Sequence, residues 1–272
     1  MKKEIVTVAG VRTHYWHAGT GPTLLMLHGQ LPGSCVATEW GDNVQRFADA
    51  GFSVYAPDLS GFGQTDNPAD ASGYAFKTRI AHAKAFIDHF KPERYSIWGS
   101  SMGTYMGCSI ALEDPRVDKL VIMPSTILPP PMLDPVGPSA VPLRTSVATM
   151  VQDPAPTVEL ARTVLNRVMS NKALITDDLV RLFQENWSGK GVQAEAGRRA
   201  IGRAPPIHQE LGRLRNRALL LWGADESLPE RSLLLQRAIP GSELHVLQGC
   251  AHWPQVDRPD RTFDIVSTFL RS

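Results

Sequence analysis

Cysteine is scarce: three residues in 272, Cys35, Cys108 and Cys250, form neither a disulfide framework nor a metal-ligand pattern. An excess of charge of one sign is also missing. The 28 Lys+Arg and 27 Asp+Glu leave a net charge of +1, which gives no reason to expect nucleic acid or an acidic membrane as partner. Arg198, Arg199 and Arg203, then Arg213, Arg215 and Arg217, read as solvated helix faces. No apolar run approaches the length of a membrane span. The opening stretch, MKKEIVTVAGVRTHYW, has two lysines but no apolar region behind them, so no secretory signal is expected. Internal repeats are absent. What is there is an ordinary globular composition, 43% hydrophobic and 20% charged. A reduced, soluble, cytoplasmic protein is expected. Its partner is expected to be a small-molecule substrate, without nucleic acid or membrane, and self-association into a homo-oligomer stays open.

Strand and helix patterns alternate over the first part of the chain. Glu4–Val8 and Arg12–Trp16 read as a hairpin joined at Ala9-Gly10. Thr23–Leu27 is a continuous apolar run, as in a strand buried on both faces. It ends in the glycine- and proline-bearing loop His28-Gly29-Gln30-Leu31-Pro32-Gly33, where ligands gather in open α/β sheets. Thr38–Ala50 reads as one helix, with Trp40, Val44 and Phe47 on one face. Phe52–Ala56, Arg94–Trp98 and Val117–Met123 are further strands, and Tyr74–Phe90 a helix. This rhythm implies a mostly parallel sheet with helices on both faces. It stops at Pro124: seven prolines in Pro124–Pro142 exclude a regular core element. Thr157–Met169, Asp177–Trp187 and Gln193–Ile201 then read as helices. The alternation returns with strands at Arg217–Trp222 and Glu243–Leu247, and helices at Glu230–Ala238 and Asp260–Leu270. The expected organisation is a core of residues 1–124 and 207–272 with a helical lid, 125–206, over the sheet's carboxyl edge. Ile127, Leu128, Met132, Leu133, Met150 and Trp187 of the lid are either pocket wall or packing.

The chain is organised around Gly99-Ser100-Ser101-Met102-Gly103. This G-x-S-x-G follows the strand ending at Trp98 and opens a small-residue helix, Ser101–Glu113. At such a turn the serine is held strained, with its hydroxyl clear of the sheet. Gly99 and Gly103 keep side chains out of a crowded backbone crossing. A serine needs a base, and the base needs an orienting acid. Of eight histidines, His252 lies in a loop directly after the last strand. His28 sits in the glycine loop and is expected to shape it, and the others to pack or face solvent. The acid should follow an earlier strand end, as Asp225 does, with adjacent Glu226 competing. The order Ser101, Asp225, His252 is nucleophile, acid, base. Backbone N–H groups of Met102 and Gln30 would form an oxyanion hole, and Trp253 is a candidate pocket wall.

Together LLMLHGQLPGS, VYAPDLSGFGQTD, WGSSMGTYMG, LLLWGADESLP and GCAHWPQVDRPD resemble the α/β-hydrolase superfamily over essentially the whole chain. Within it, the proline-glycine after the HG loop, Met102, ALITDDLVRLF and Trp253 resemble the carbon–carbon bond hydrolases of meta-cleavage products in aromatic degradation. The resemblance implies an eight-stranded α/β-hydrolase fold with its lid after the sixth strand. It also implies a Ser101–His252–Asp225 triad, an oxyanion hole at Gln30 and Met102, and no metal or organic cofactor. Counting back from Pro229 gives Asp225 as the acid, and counting forward from Trp222-Gly223 gives Glu226; Asp225 is preferred. Substrate contacts are expected from Gly29, Leu31, Ser100, Arg181, Phe183 and Trp253. Ser100 stands where the subfamily usually has asparagine, and Phe183, with Arg181 two residues earlier, where it has a carboxylate-holding arginine. Gln30-Leu31 replaces the usual glycines and narrows the pocket. The activity implied is cofactor-free cleavage of a small, largely apolar carbonyl compound: a meta-cleavage dienone, an ester or a lactone. A cofactor-independent oxygenase and a non-hydrolytic ligand receptor on the same fold are the alternatives.

Overall fold

The computed structural model describes residues 1–125, 127, 156–191, 193, 197, 205–226 and 229–272. Eight strands form one sheet in the order β1-β2-β4-β3-β5-β6-β7-β8. They are β1 Lys2–Val8, β2 Val11–Ala18, β3 Thr23–Leu27, β4 Ser53–Pro57, β5 Tyr95–Gly99, β6 Val117–Ile122, β7 Arg217–Gly223 and β8 Glu243–Leu247. β1 and β2 form an antiparallel hairpin, β2 runs antiparallel to β4, and every other pairing is parallel. This is the expected α/β-hydrolase fold. The carboxyl ends of β3, β5 and β7 lie at one edge, which is where the chemistry-bearing loops begin.

The central strands are apolar throughout because both faces are covered. Leu25, Leu27, Ile97 and Leu220 face one buried cluster, with Phe86 and Met106 from the helices. Leu24, Met26, Trp98 and Leu221 face the other, with Trp40, Phe47 and Phe269.

The expected helix over 38–50 is two helices, α1 Val36–Glu39 and α2 Asn43–Asp49. Trp40, Val44 and Phe47 are all buried as expected. The break lies at Gly41, whose φ of +44° is left-handed; glycine adopts that conformation without a Cβ clash. Likewise the stretch 74–90 is α3 Phe76–His89, preceded by a 3-10 turn at Ala71–Tyr74. The helix after the elbow, α4, spans Met102–Glu113.

Between β6 and β7, α5 Val158–Val168 and α6 Asp177–Asn186 are each N-capped by a threonine hydroxyl, Thr157 and Thr176. Such caps satisfy a first-turn N–H that no helical carbonyl can reach. Ala161, Val164, Leu165, Val180, Phe183 and Trp187 pack together and onto Trp253. Trp187 is therefore packing, and Ile127 joins the core cluster. Leu128, Met132, Leu133 and Met150, and most of the 193–201 helix, lie outside the described residues. The chain closes with α7 Arg231–Ala238, the short α8 Pro254–Asp257 and α9 Pro259–Arg271. Among the described residues no helix is long and apolar enough to cross a membrane.

Candidate active site

Ser101 stands between β5 and α4 with φ +52° and ψ −109°. A non-glycine residue with positive φ is strained, and the surroundings must hold it there. They do so by close backbone packing. A Cβ on Gly103 would lie 2.0 Å from the Leu27 carbonyl oxygen, and one on Gly99 would lie 2.5 Å from the Gly103 backbone. The Ser100 N–H donates to Leu27 O at 2.9 Å, tying the elbow to the end of β3. The Met102 N–H opens α4, where no intrahelical acceptor exists.

His252 follows β8 on a loop whose backbone is held from two sides. Its N–H donates to Val168 O at the end of α5, at 3.0 Å. The buried Asp257 carboxylate accepts the Ala251 N–H at 2.8 Å, together with the Ser170 and Asn171 N–H groups just beyond α5. The loop carrying the imidazole is thus bonded directly to the end of α5 and the residues just after it. Sequence reasoning missed Asp257; its only signal was an acidic residue in a short turn with Pro254 at its start.

The imidazole Nδ1 lies 2.7 Å from Glu226 Oε2. The expectation that Asp225 would orient this ring is corrected here: Asp225 is exposed. The reason is local. Beyond β7 the Ala224 N–H donates to Leu247 O and the Asp225 N–H to Cys250 O. The Glu226 N–H in turn donates to Gly223 O at 3.3 Å, so the chain leaves β7 in a tight turn pinned to the loop after β8, with Asp225 at its exposed tip and Glu226 turned back to the histidine. Burial opposes charge on the His252 ring, but the Glu226 carboxylate beside it, its hydrogen bond, and the more distant Glu39 prevail and raise its pKa above 6.5. A ring held by a carboxylate on Nδ1 presents Nε2 as the basic nitrogen.

His28 shapes the glycine loop, as expected. Its Nδ1–H donates to Gly29 O at 2.7 Å and its Nε2 accepts the Leu59 N–H at 2.9 Å. Burial lowers its pKa. Gly29 lies against the nucleophile, since a Cβ there would stand 3.2 Å from Ser101 Cβ. Glu39, not anticipated as a site residue, reaches the same place: its two carboxylate oxygens accept the Gly29 N–H at 3.0 and 3.1 Å. Its buried neighbours Thr38 and Trp40 were the only sequence hint.

Of the remaining expected contacts, Phe183 is buried against Gly33 of the loop and against Trp253. Leu31 packs at the edge of the same cluster. Arg181 points away: its side chain is 62% exposed and lies 3.5 Å from Asp178. Ser100 is fully buried, and neither its Oγ nor Gln30 Oε1 has a hydrogen-bond partner among the described residues.

Residues 24–265 match the alpha/beta hydrolase family. A 2-hydroxy-6-oxononadienedioate/2-hydroxy-6-oxononatrienedioate hydrolase of Burkholderia vietnamiensis is 29% identical, over 96% of this chain and 91% of that protein. A 2-hydroxy-6-oxo-6-phenylhexa-2,4-dienoate hydrolase of Burkholderia cepacia is 27% identical over 97% and 92%. Among solved structures, a meta-cleavage product hydrolase from Pseudomonas fluorescens IP01 superposes with a TM-score of 0.84 at 26% identity, covering 98% of this chain and 97% of that one. The eight-stranded sheet, the strained serine after its fifth strand and these likenesses agree: the chain belongs to the α/β-hydrolase family.

Proposed function

We propose that the chain is a serine hydrolase acting on small, largely apolar carbonyl compounds, with Ser101 as nucleophile, His252 as base and Glu226 as the orienting acid. The observation that carries this reading is the His252–Glu226 contact at 2.7 Å on the loops after β8 and β7, at the same sheet edge as the elbow after β5 that holds Ser101 at φ +52°. In this reading His252 Nε2 takes the Ser101 hydroxyl proton as Oγ attacks the substrate carbonyl. Glu226 accepts the Nδ1–H and stabilises the imidazolium that forms. The N–H groups of Met102 and Gln30 receive the oxyanion, and the positive end of α4 adds to the former. The imidazolium then protonates the leaving group, and water, activated by the same ring, releases the acyl group.

The relatives' names point to the carbon–carbon bond of a 2-hydroxy-6-oxo-dienoate as the bond broken. There the leaving group is a carbanion, so the enol must first ketonise to give it an electron sink. Cleavage of an ester or lactone uses the same groups without that step. No step calls for a metal or organic cofactor. The three cysteines are buried thiols, which suits a reducing cytoplasm.

The test is intact-mass analysis after reaction with a fluorophosphonate, alongside turnover of p-nitrophenyl esters and a meta-cleavage dienone. One adduct, on Ser101, is expected. Ser101→Ala should keep the fold and lose turnover by about 10³-fold or more; undiminished activity in that variant refutes the reading.

A further inference from the structure

We propose that Glu39 sets the chemical class of the substrate: it accepts a hydrogen bond from an O–H or N–H group near the reacting carbonyl and turns away compounds carrying a carboxylate there. This rests on the serine-hydrolase reading and deepens it.

Glu39 is the last residue of α1 and only 1% exposed. Its carboxylate receives the Gly29 N–H on both oxygens, and no other donor reaches it among the described residues. A carboxylate has about four acceptor positions, and burying one with so few of them filled is costly. Propping Gly29 alone does not account for that cost, because a neutral amide oxygen would accept the same N–H. The unused positions lie beside the nucleophile. A methyl group built on Gly29 would stand 3.0 Å from Glu39 Oε1 and 3.2 Å from Ser101 Cβ, so both side chains border the same side of that glycine. The charge is felt at the site, since Glu39 is among the groups that raise the His252 ring.

The neighbouring groups suit a neutral polar substituent. Ser100 and Gln30 adjoin Ser101 and Gly29 in the chain, and among the described residues Ser100 Oγ and Gln30 Oε1 are buried without partners. Among the described residues, Phe183 rather than a cation sits at the expected place, against Gly33, and Arg181 faces outward. The buried guanidinium of Arg79 is engaged with Met102 Sδ and lies over the rings of Phe62 and Tyr74. An anionic group beside Glu39 would meet like charge in a low dielectric, whereas a hydroxyl or amide N–H would fill its open acceptor positions.

The test compares 4-phenylbutanamide with 4-phenylbutanoate, matched in size and differing in charge and donors, as protectors of Ser101 against fluorophosphonate labelling. In the native protein the amide should protect at roughly tenfold lower concentration than the acid, or better. In Glu39→Gln, which keeps an acceptor for the Gly29 N–H, the ratio should fall to about threefold or less, mainly through tighter binding of the acid. Equal or better protection by the acid in the native protein overturns the proposal, and so does an unchanged ratio in Glu39→Gln. The native comparison needs no variant, so it decides even if Glu39→Gln does not fold. If Ser101 does not label, the same ratio is read by calorimetry, and failure of the hydrolase reading is then seen separately.

Discussion

Two histidine–carboxylate pairs in this molecule have the same contact and different surroundings. His14 Nδ1 lies 2.7 Å from Asp58 Oδ2, and His252 Nδ1 lies 2.7 Å from Glu226 Oε2. Asp58 is saturated by backbone: Oδ1 accepts the Val36 N–H at 2.8 Å and Oδ2 the Gln64 N–H at 2.9 Å. Its own carbonyl accepts Thr65 Oγ1, and its N–H donates to His14 O. Both side chains are buried, joining β2, the turn after β4 and the start of α1. The second pair sits on loops at strand ends, partly open, at 23% and 14% side-chain exposure. An imidazole held by a carboxylate is thus not in itself a catalytic device. In the proposed reading what makes one is a hydroxyl to activate beyond the far nitrogen, and the second pair, partly open at the sheet edge where the Ser101 elbow begins, is the one offered for that role.

The comparison breaks most sharply by removing one carboxylate at a time. Glu226→Gln should leave the fold intact and reduce kcat by roughly 10³-fold, because the ring loses both its tautomer and the stabiliser of its charge. Steady-state kinetics with the thermal midpoint measured in parallel checks this; a loss below tenfold would remove Glu226 from the proposed triad. Asp58→Asn should do the opposite. It weakens the acceptor of the buried Val36 N–H and the pairing with buried His14, and costs stability, by about 2–4 kcal/mol. Denaturant melts should show the loss while Ser101 labelling proceeds near the native rate in the folded fraction. If labelling collapsed and stability did not, the structural assignment of this pair would fail.

These two pairs also mark what could be read from sequence. The elbow was legible because its glycines recur with the motif: a Cβ on Gly99 would meet the Gly103 backbone across the turn, and one on Gly103 the Leu27 carbonyl of the neighbouring strand. The strands were legible for a similar reason, since burial on both faces leaves only apolar runs such as Thr23–Leu27. The acid was not. Whether residue 225 or 226 faces His252 depends on bonds from Ala224 and Asp225 to Leu247 and Cys250, a pairing that no local motif encodes. Gly41 hid in a helical period that continued through it. Glu39 carried no signal within the expected helix 38–50, since an acidic residue usually faces solvent; the tertiary fold turns it under Gly29.

The pH dependence sharpens the comparison on a smaller scale. As a base, His252 must be neutral, and Glu226 holds its pKa above 6.5 against the effect of burial. The acid limb of kcat/KM should therefore lie above the ordinary imidazole position, with activity lost as pH falls through it. In Glu226→Gln the limb of the residual activity should move down. Linkage has the opposite sense for stability: the pair's contribution is fully present below the unfolded-state pKa and is lost as pH rises through the raised folded value. An acid limb that does not move in Glu226→Gln would mean that another group governs it.

The smallest effect is expected at the residue next door. Asp225 is exposed, and what fixes the loop at that point is its backbone N–H on Cys250 O at 2.8 Å. Asp225→Asn keeps that N–H and changes only an exposed side chain. Exposed charges are screened and contribute little, so kcat and kcat/KM should stay within about threefold of native. The Asp225→Asn and Glu226→Gln variants together form a one-residue register test: the same chemical change, made at adjacent positions, should differ in effect by roughly 10²-fold or more. If the two were equal, the loop in solution would have to present either carboxylate to His252. If the order were reversed, the turn closed by the Glu226 N–H on Gly223 O would have to rearrange, with loss of the Ala224 N–H bond to Leu247 O visible in the exchange of that amide.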